Sequence, residues 1–230
     1  MNPLPAIALT LGAYLLGVFV NRAAGGSSLI HPVVVAMAVV LAFLGALRAF
    51  GHPLADAYLE GNAFLVECLM VGIVAFCVPL IDNARQMLRD LVSTIVSTAA
   101  SAIAIGTTTI AICLLFGLDE GAVSAAGLRS VTTPMAVAIA EANAISIELA
   151  MLGVFVTGVL GVVIGQKLLE WVGVTDERHV GLMFGITCHA FGVIRALEIS
   201  TLAAAYATVG MIVTGVLYAF CVPWVIVLLG

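Results

Sequence analysis

Charge is the scarcest commodity in this sequence. Only 9% of its 230 residues are Asp, Glu, Lys or Arg, whereas 63% are apolar and the mean hydropathy is +1.25; a soluble domain carries roughly 25% charge. Residues 23–47, 91–118 and 199–230 contain no charged side chain, and each reaches the roughly 20 residues needed to cross hydrocarbon. A soluble fold is excluded. Polar tails, linkers and low-complexity segments are also absent, so a single transmembrane domain over residues 1–230 is expected, surrounded by lipid. The formal charge of −5 is spread over short loops and points to no nucleic-acid partner.

The motifs of catalysis and metal binding are missing too. The five cysteines, Cys68, Cys77, Cys113, Cys188 and Cys221, lie in apolar stretches without C-x-x-C or Cys/His ligand spacing, and are expected to be small buried hydrophobes. There is no His-Glu-x-x-His, Gly-x-Ser-x-Gly or phosphate loop, so neither an enzyme nor a cofactor or metal is expected. Residues 1–20 lack a basic leader, which predicts a retained first helix rather than a signal peptide.

What is present reads as an all-α polytopic membrane protein: about six full spanning helices plus two broken or re-entrant segments. Helices one to four fall within residues 1–118, at about 4–20, 32–48, 63–80 and 91–116. Gly25, Gly26, Ser27 and Ser28 form the first loop, and Pro32 opens helix two at a position where its missing N–H does no harm. Residues 82–90 make the most charged loop. Helix four is dense in Ser and Thr, from Ser93 to Thr109. That pattern fits a helix-packing face and equally a hydroxylated wall of a substrate path.

The stretch Gly127-Leu128-Arg129-Ser130-Val131-Thr132-Thr133-Pro134 breaks the pattern. Its flanks are apolar, yet it offers a cation, three hydroxyls and a helix-breaking proline. In lipid, irregular backbone survives only where it is buried in protein or lines a polar cavity. Thr133 and Pro134 read as the cap and first turn of a helix over residues 135–146, whose N–H groups and positive dipole end would face that cavity. Arg129, Ser130, Thr132 and Thr133, with Pro134 shaping the turn, are therefore the candidate cradle for a small carboxylate. The bland alternative pairs Arg129 with Glu141, Glu148 or Glu198 and leaves the threonines as caps.

A second irregular stretch spans residues 181–198 and contains His189, Gly192, Arg195 and Glu198. His189 is the one histidine deep in apolar sequence, which makes it a candidate proton-coupling group as well as a candidate core histidine. Arg195 and Glu198, three apart on one helix face, fit a structural ion pair or a gate. With Glu141 they complete the candidate coupling cluster.

The two stretches are related. Val156-Thr157-Gly158-Val159-Leu160 recurs as Val213-Thr214-Gly215-Val216-Leu217, and at the same 57-residue offset Gly153 matches Gly210 and Glu141 matches Glu198. Residues 119–172 and 176–230 then form two units, each a broken segment followed by a Gly-rich helix. If both broken segments return to the side they left, Arg22, Arg85, Arg89, Lys167 and Arg178 share one face with only Arg48 opposite. The repeat would then be inverted, as in many secondary transporters.

These residues also carry a resemblance. Arg129-Ser130-Val131-Thr132-Thr133-Pro134, residues 161–169, and residues 181–198 with His189, Gly192, Arg195 and Glu198 resemble the LrgB/CidB family of bacterial membrane proteins. The resemblance runs from His31-Pro32 to the C-terminus. Arg129 stands where lysine is common in relatives, and His31 where asparagine commonly precedes the proline. The resemblance implies a multi-pass protein of the bacterial plasma (inner) membrane, with either of two roles. One is transport of a small carboxylate such as glycolate, glycerate, lactate or pyruvate; the other is antiholin-like regulation of a pore and of murein hydrolases. It also implies a small membrane partner of the LrgA/CidA type, and the Gly-rich helices permit a homodimer.

Overall fold

The computed structural model describes residues 3–27 and 30–229; Ser28 of the expected first loop lies outside them. The described residues form eleven helices and no strand: α1 (Leu4–Ala23), α2 (Pro32–Ala49), α3 (Leu54–Gly61), α4 (Ala63–Ala75), α5 (Cys77–Asp82), α6 (Ala84–Leu115), α7 (Glu120–Gly127), α8 (Thr133–Ala142), α9 (Ile147–Trp171), α10 (Glu177–Ile199) and α11 (Thr201–Leu229). Seven stretches are long and apolar enough to cross a membrane. Large apolar side chains such as Phe19, Val92 and Leu115 point outward, each more than two-thirds exposed. With no polar face to offer water, these helices need lipid as their solvent. The protein is an all-α polytopic membrane protein.

The chain divides into two compact units, Met1–Ala75 and Phe76–Gly230. In the first, Gly17 lets α1 approach the Pro32 carbonyl and Gly61 lets α3 approach Ala6. Thr10 joins α1 to α3 through the Tyr58 hydroxyl at 2.7 Å and Asn62 Oδ1 at 3.0 Å. Pro32 occupies the first turn of α2 as expected, and the His31 ring accepts the Val33 N–H as its cap.

Several expected boundaries moved. The polar stretch after His52 is helical (α3), and the expected third helix is interrupted at Phe76 between α4 and α5. Residues 84–90 are no loop but the first turns of the 32-residue α6. Only Asn83 breaks the chain there, and no glycine or proline follows to stop the helix. Of the cysteines, Cys113 and Cys188 are buried as expected. Cys68, Cys77 and Cys221 instead lie on exposed helix faces, where lipid accommodates a thiol as well as a core does; all five are free.

The second unit is organised by a helical hairpin. His189 interrupts α10 with φ 45° and ψ −130°, and the chain doubles back there. Ser200, just past the end of α10, donates a 2.6 Å hydrogen bond to Glu177 at its start; a straight helix would separate these residues by roughly 34 Å. The limbs 177–188 and 190–199 are roughly 18 and 15 Å long, each short of the roughly 30 Å hydrocarbon core. So α10, although among the seven by length and composition, has its two ends together. The second broken segment expected from sequence is thus a hairpin whose tip is His189.

Glycines close the hairpin and seat it. A Cβ on Gly192 would strike the Phe184 carbonyl, and one on Gly181 or Gly185 would strike the carbonyls of Ala203 or Ala207 on α11. Gly161 and Gly165 on α9 instead leave room for the side chains of Cys188 and Phe184. These small residues give α9 and α11 the close backbone approach through which helices associate in lipid.

Two tests follow from the hairpin. In a cysteine-free background, Glu177→Cys paired with Ser200→Cys should cross-link on oxidation, detected by mass spectrometry; a straight α10 would give no cross-link. Gly192→Ala should lower the unfolding free energy by about 1–3 kcal/mol, the usual cost of overpacking, read as an earlier thermal transition in detergent.

Candidate functional site

Two short helices meet at the first irregular stretch, neither long enough to cross hydrocarbon. Asp119 caps α7 by accepting the Ala122 N–H at 2.9 Å. The chain then turns through residues 128–132, and Thr132 rather than Thr133 is the N-cap of α8, without a side-chain cap bond. Pro134 lies in the first turn as expected. The helix ends at Ala142, four residues earlier than expected, because Ala144 adopts φ 54° and Ser146 caps α9.

The turn fans its side chains apart. Arg129 donates from Nε and Nη2 to Thr109 Oγ1 on α6, at 3.0 and 2.8 Å. It forms no ion pair with Glu141, Glu148 or Glu198 among the described residues. Its backbone sits against Gly153 of α9, and it lines a cavity of about 320 Å3 whose wall includes Thr157, Gly161, Gly165, Thr187 and Cys188. Ser130 is buried near Tyr218, and its hydroxyl makes no hydrogen bond of normal geometry among the described residues. Thr132 is buried and Thr133 partly so. Ser130, Thr132 and Thr133 do not line the cavity that Arg129 does, so the five candidate residues share one turn without converging on one point.

The hairpin tip is buried and held from α9. His189 is 1% exposed, its Nε2–H donating to the Val154 carbonyl at 3.0 Å. That bond puts the proton of the neutral ring on Nε2. Phe191 packs edge-on against the ring at 5.7 Å, and Gly158 of α9 makes room for both. A non-glycine residue at this φ costs on the order of 1–3 kcal/mol, so the surrounding packing imposes it.

Arg195 and Glu198 form the expected ion pair, and Arg195 also donates to Gln166 Oε1 on α9. Gln166 in turn donates to Glu170 at 2.9 Å. This network lies along the outgoing limb, roughly 9 Å or more from the tip, so His189 and the Arg195–Glu198 pair are separate sites. Glu141 is exposed near the end of α8. Gly192 packs the limbs together, with no polar atom to offer beyond its backbone.

Some groups that matter were not singled out from sequence. Gln166 emerges only once a tertiary contact pairs it with Arg195, whereas Thr109, read from sequence as part of a packing face or path wall, is the hydroxyl that meets Arg129. A polar pocket of about 160 Å3, lined by Asp90, Ser93, Thr94, Ser97, Arg178, His179, Leu182 and Tyr206, joins α6, α10 and α11. At its edge Asp176 caps α10 by accepting the Arg178 N–H, and the Arg178 side chain holds its carboxyl well below the usual range. The four-residue spacing of Asp90, Thr94 and Thr98 was the signal available in sequence.

The strain at His189 is measurable. His189→Gly should be more stable than His189→Ala by about 1 kcal/mol or more, because only glycine adopts this backbone freely; thermal unfolding of the two variants in detergent checks it.

The whole arrangement lies within a recognisable sequence family. The LrgB-like family model matches residues 10–228. An uncharacterised protein of Haemophilus influenzae is 28% identical over 79% of each chain. The "Holin-like protein CidB" of Staphylococcus aureus is 25% identical over 75% of this chain and 76% of its own. The uncharacterised protein YwbG of Bacillus subtilis is 27% identical over 74% and 76%. No solved structure matches. With nearly its full length matched by the family model and its fold built of membrane-length helices, the chain is a multi-pass membrane protein of the LrgB-like family.

Proposed function

We propose that the protein is a secondary transporter of small 2-hydroxy and 2-oxo monocarboxylates, of the glycolate, glycerate, lactate or pyruvate class, in the bacterial inner membrane. The observation that supports it is Arg129. A guanidinium in an apolar protein, at a break between two short helices, bonds a neutral threonine and no carboxylate among the described residues. Intramembrane cations are costly and are kept for a task. This one faces a cavity whose other polar groups are two threonine hydroxyls and a thiol, a setting for one carboxylate held bidentately.

In this proposal the repeat supplies the transport geometry. The 57-residue offset aligns the capping residues Asp119 and Asp176, the helix starts Glu120 and Glu177, and the breaks at Thr132 and His189. Gly153 against Arg129 and Gly210 against Ile186 are equivalent contacts under the same offset. An inverted pair of broken segments would expose the Arg129 cavity alternately, with protons as the driving ion and His189 at the second break as the coupling group.

A second reading is favoured by the relatives. The staphylococcal proteins are named holin-like, and on those names an antiholin-like regulator of a pore and of murein hydrolase activity is the better supported role. It brings a partner of the LrgA/CidA type, or a second copy of this chain, into the mechanism. It assigns Arg129 no substrate.

The readings separate in liposomes. The transporter should take up labelled glycolate or pyruvate saturably, faster with an inward proton gradient. Arg129→Leu should reduce uptake at least tenfold while leaving thermal unfolding within about 1 kcal/mol, as for a partly buried polar replacement. Size-graded leakage of unrelated dyes with no saturable uptake would establish the pore-regulator reading instead.

A further inference from the structure

Helices α6 and α11 are in contact at two points with a constant register. Tyr206 donates to Asp90 Oδ2 at 2.5 Å, and Tyr218 donates to the Ala102 carbonyl at 2.8 Å; both pairs are 116 residues apart. A constant difference means the helices run parallel between the two points, level with level. Thr98 and Thr214 have the same separation, so they stand level with each other between the two contacts, nearer the second.

Neither threonine finds a partner there. Both are 0% exposed, and both hydroxyls lack a hydrogen bond among the described residues. One turn further on lies the Tyr218 hydroxyl, with the buried Ser130 hydroxyl near it but in no hydrogen bond of normal geometry among the described residues. An unpaired buried hydroxyl costs about 1–3 kcal/mol. Three in one seam, contributed by α6, α11 and the 128–132 turn, are more than packing explains, because valine would fill the same space at Thr98 and Thr214. The neighbouring threonines Thr107, Thr108 and Thr109 do satisfy themselves on their own helix carbonyls, which sets these hydroxyls apart. A small residue flanks the seam, since Gly106 adjoins the Tyr218 hydroxyl. Buried water typically makes about three hydrogen bonds to such groups.

The two ends of the seam are polar. At one end is the pocket of about 160 Å3 that contains Asp90 and Tyr206. At the other, Ser130 is followed along the same turn by the Arg129 break. The titratable and charged groups facing the seam are Asp90 on α6; Asp176, Arg178 and His179 at the start of α10; Tyr206, Tyr218 and Cys221 on α11; and Arg129.

We propose that the α6–α11 seam holds a chain of water, bound by Thr98, Thr214, Ser130 and Tyr218, that passes protons between the Asp90–Tyr206 pocket and the Arg129 break. The water chain stands on the geometry alone; its use in coupling rests on the transporter reading. Each member takes a proton from the preceding oxygen and releases its own to the next, so only O–H bonds form and break. Asp90 is the group that accepts the proton from the aqueous pocket. The last oxygen of the chain releases its proton to water in the Arg129 cavity, and Arg129, fixed in charge, opposes that release unless an anion neutralises it.

Hydroxyl-radical footprinting of the whole protein in detergent tests the water directly. Tyr218 is 5% exposed, and bound water should make it oxidise at least fivefold faster in the wild type than in T98V combined with T214V, while T98S with T214S keeps the wild-type rate. In liposomes the valine pair should abolish the acceleration of uptake by a proton gradient and leave gradient-free uptake within twofold; the serine pair should retain the acceleration. Tyr218 oxidation unchanged in the valine pair overturns the water chain, whether or not the protein transports. Undiminished gradient acceleration in the valine pair, in a protein that transports, overturns the proton role.

Discussion

The second unit depends on backbone meeting backbone. Where Gly181 and Gly185 lie against the carbonyls of Ala203 and Ala207, and Gly192 against that of Phe184, there is no side chain to separate the segments. Helices in lipid gain little from hiding apolar groups from one another, since the tails are equally apolar. Their association rests on close van der Waals packing and on hydrogen bonds that lipid cannot replace. The α10 hairpin is the result. Its two limbs pack against α11, its tip is pinned by the Val154 carbonyl, and its base is closed by Ser200 and Glu177.

That packing forces polar groups into the interior, and each has a distinct neighbourhood. His189 is buried, singly bonded and held in an unfavourable backbone conformation. Arg129 reaches across to α6 and opens onto a cavity. The Arg195–Glu198–Gln166 network braces the outgoing limb against α9. The expectation of a single cluster of His189, Arg195 and Glu198 overlooked the length of a helical limb. Residues three to nine apart on one short helix share a segment without sharing a site.

Two numerical registers describe the unit. An offset of 57 relates the two broken segments and places a cap, a helix start and a break at equivalent positions in each. An offset of 116 relates the parallel helices α6 and α11. The first was visible as repeated letters, because a repeated fold asks for the same small residues at the same spacings. The second carries no repeated letters, because parallel packing demands only complementary faces, and it appeared only when contacts could be read.

Composition and hydropathic run length alone determined the membrane class and the all-α architecture, since no other structure satisfies the backbone in lipid across such apolar lengths. Proline, threonine and arginine in one apolar stretch marked the first break, and an isolated histidine at the equivalent register marked the second. Local signals failed where helices continue through charge, as at residues 84–90, because exposed Arg and Asp oppose a helix too weakly to end it. Tertiary structure decided that α10 doubles back rather than crosses, since its 23 residues are long enough to cross and only the glycine contacts with α11 and its own first limb select the hairpin. It also decided which partner each buried polar group meets, because those partners lie from 20 to 116 residues away in sequence and no local spacing encodes them.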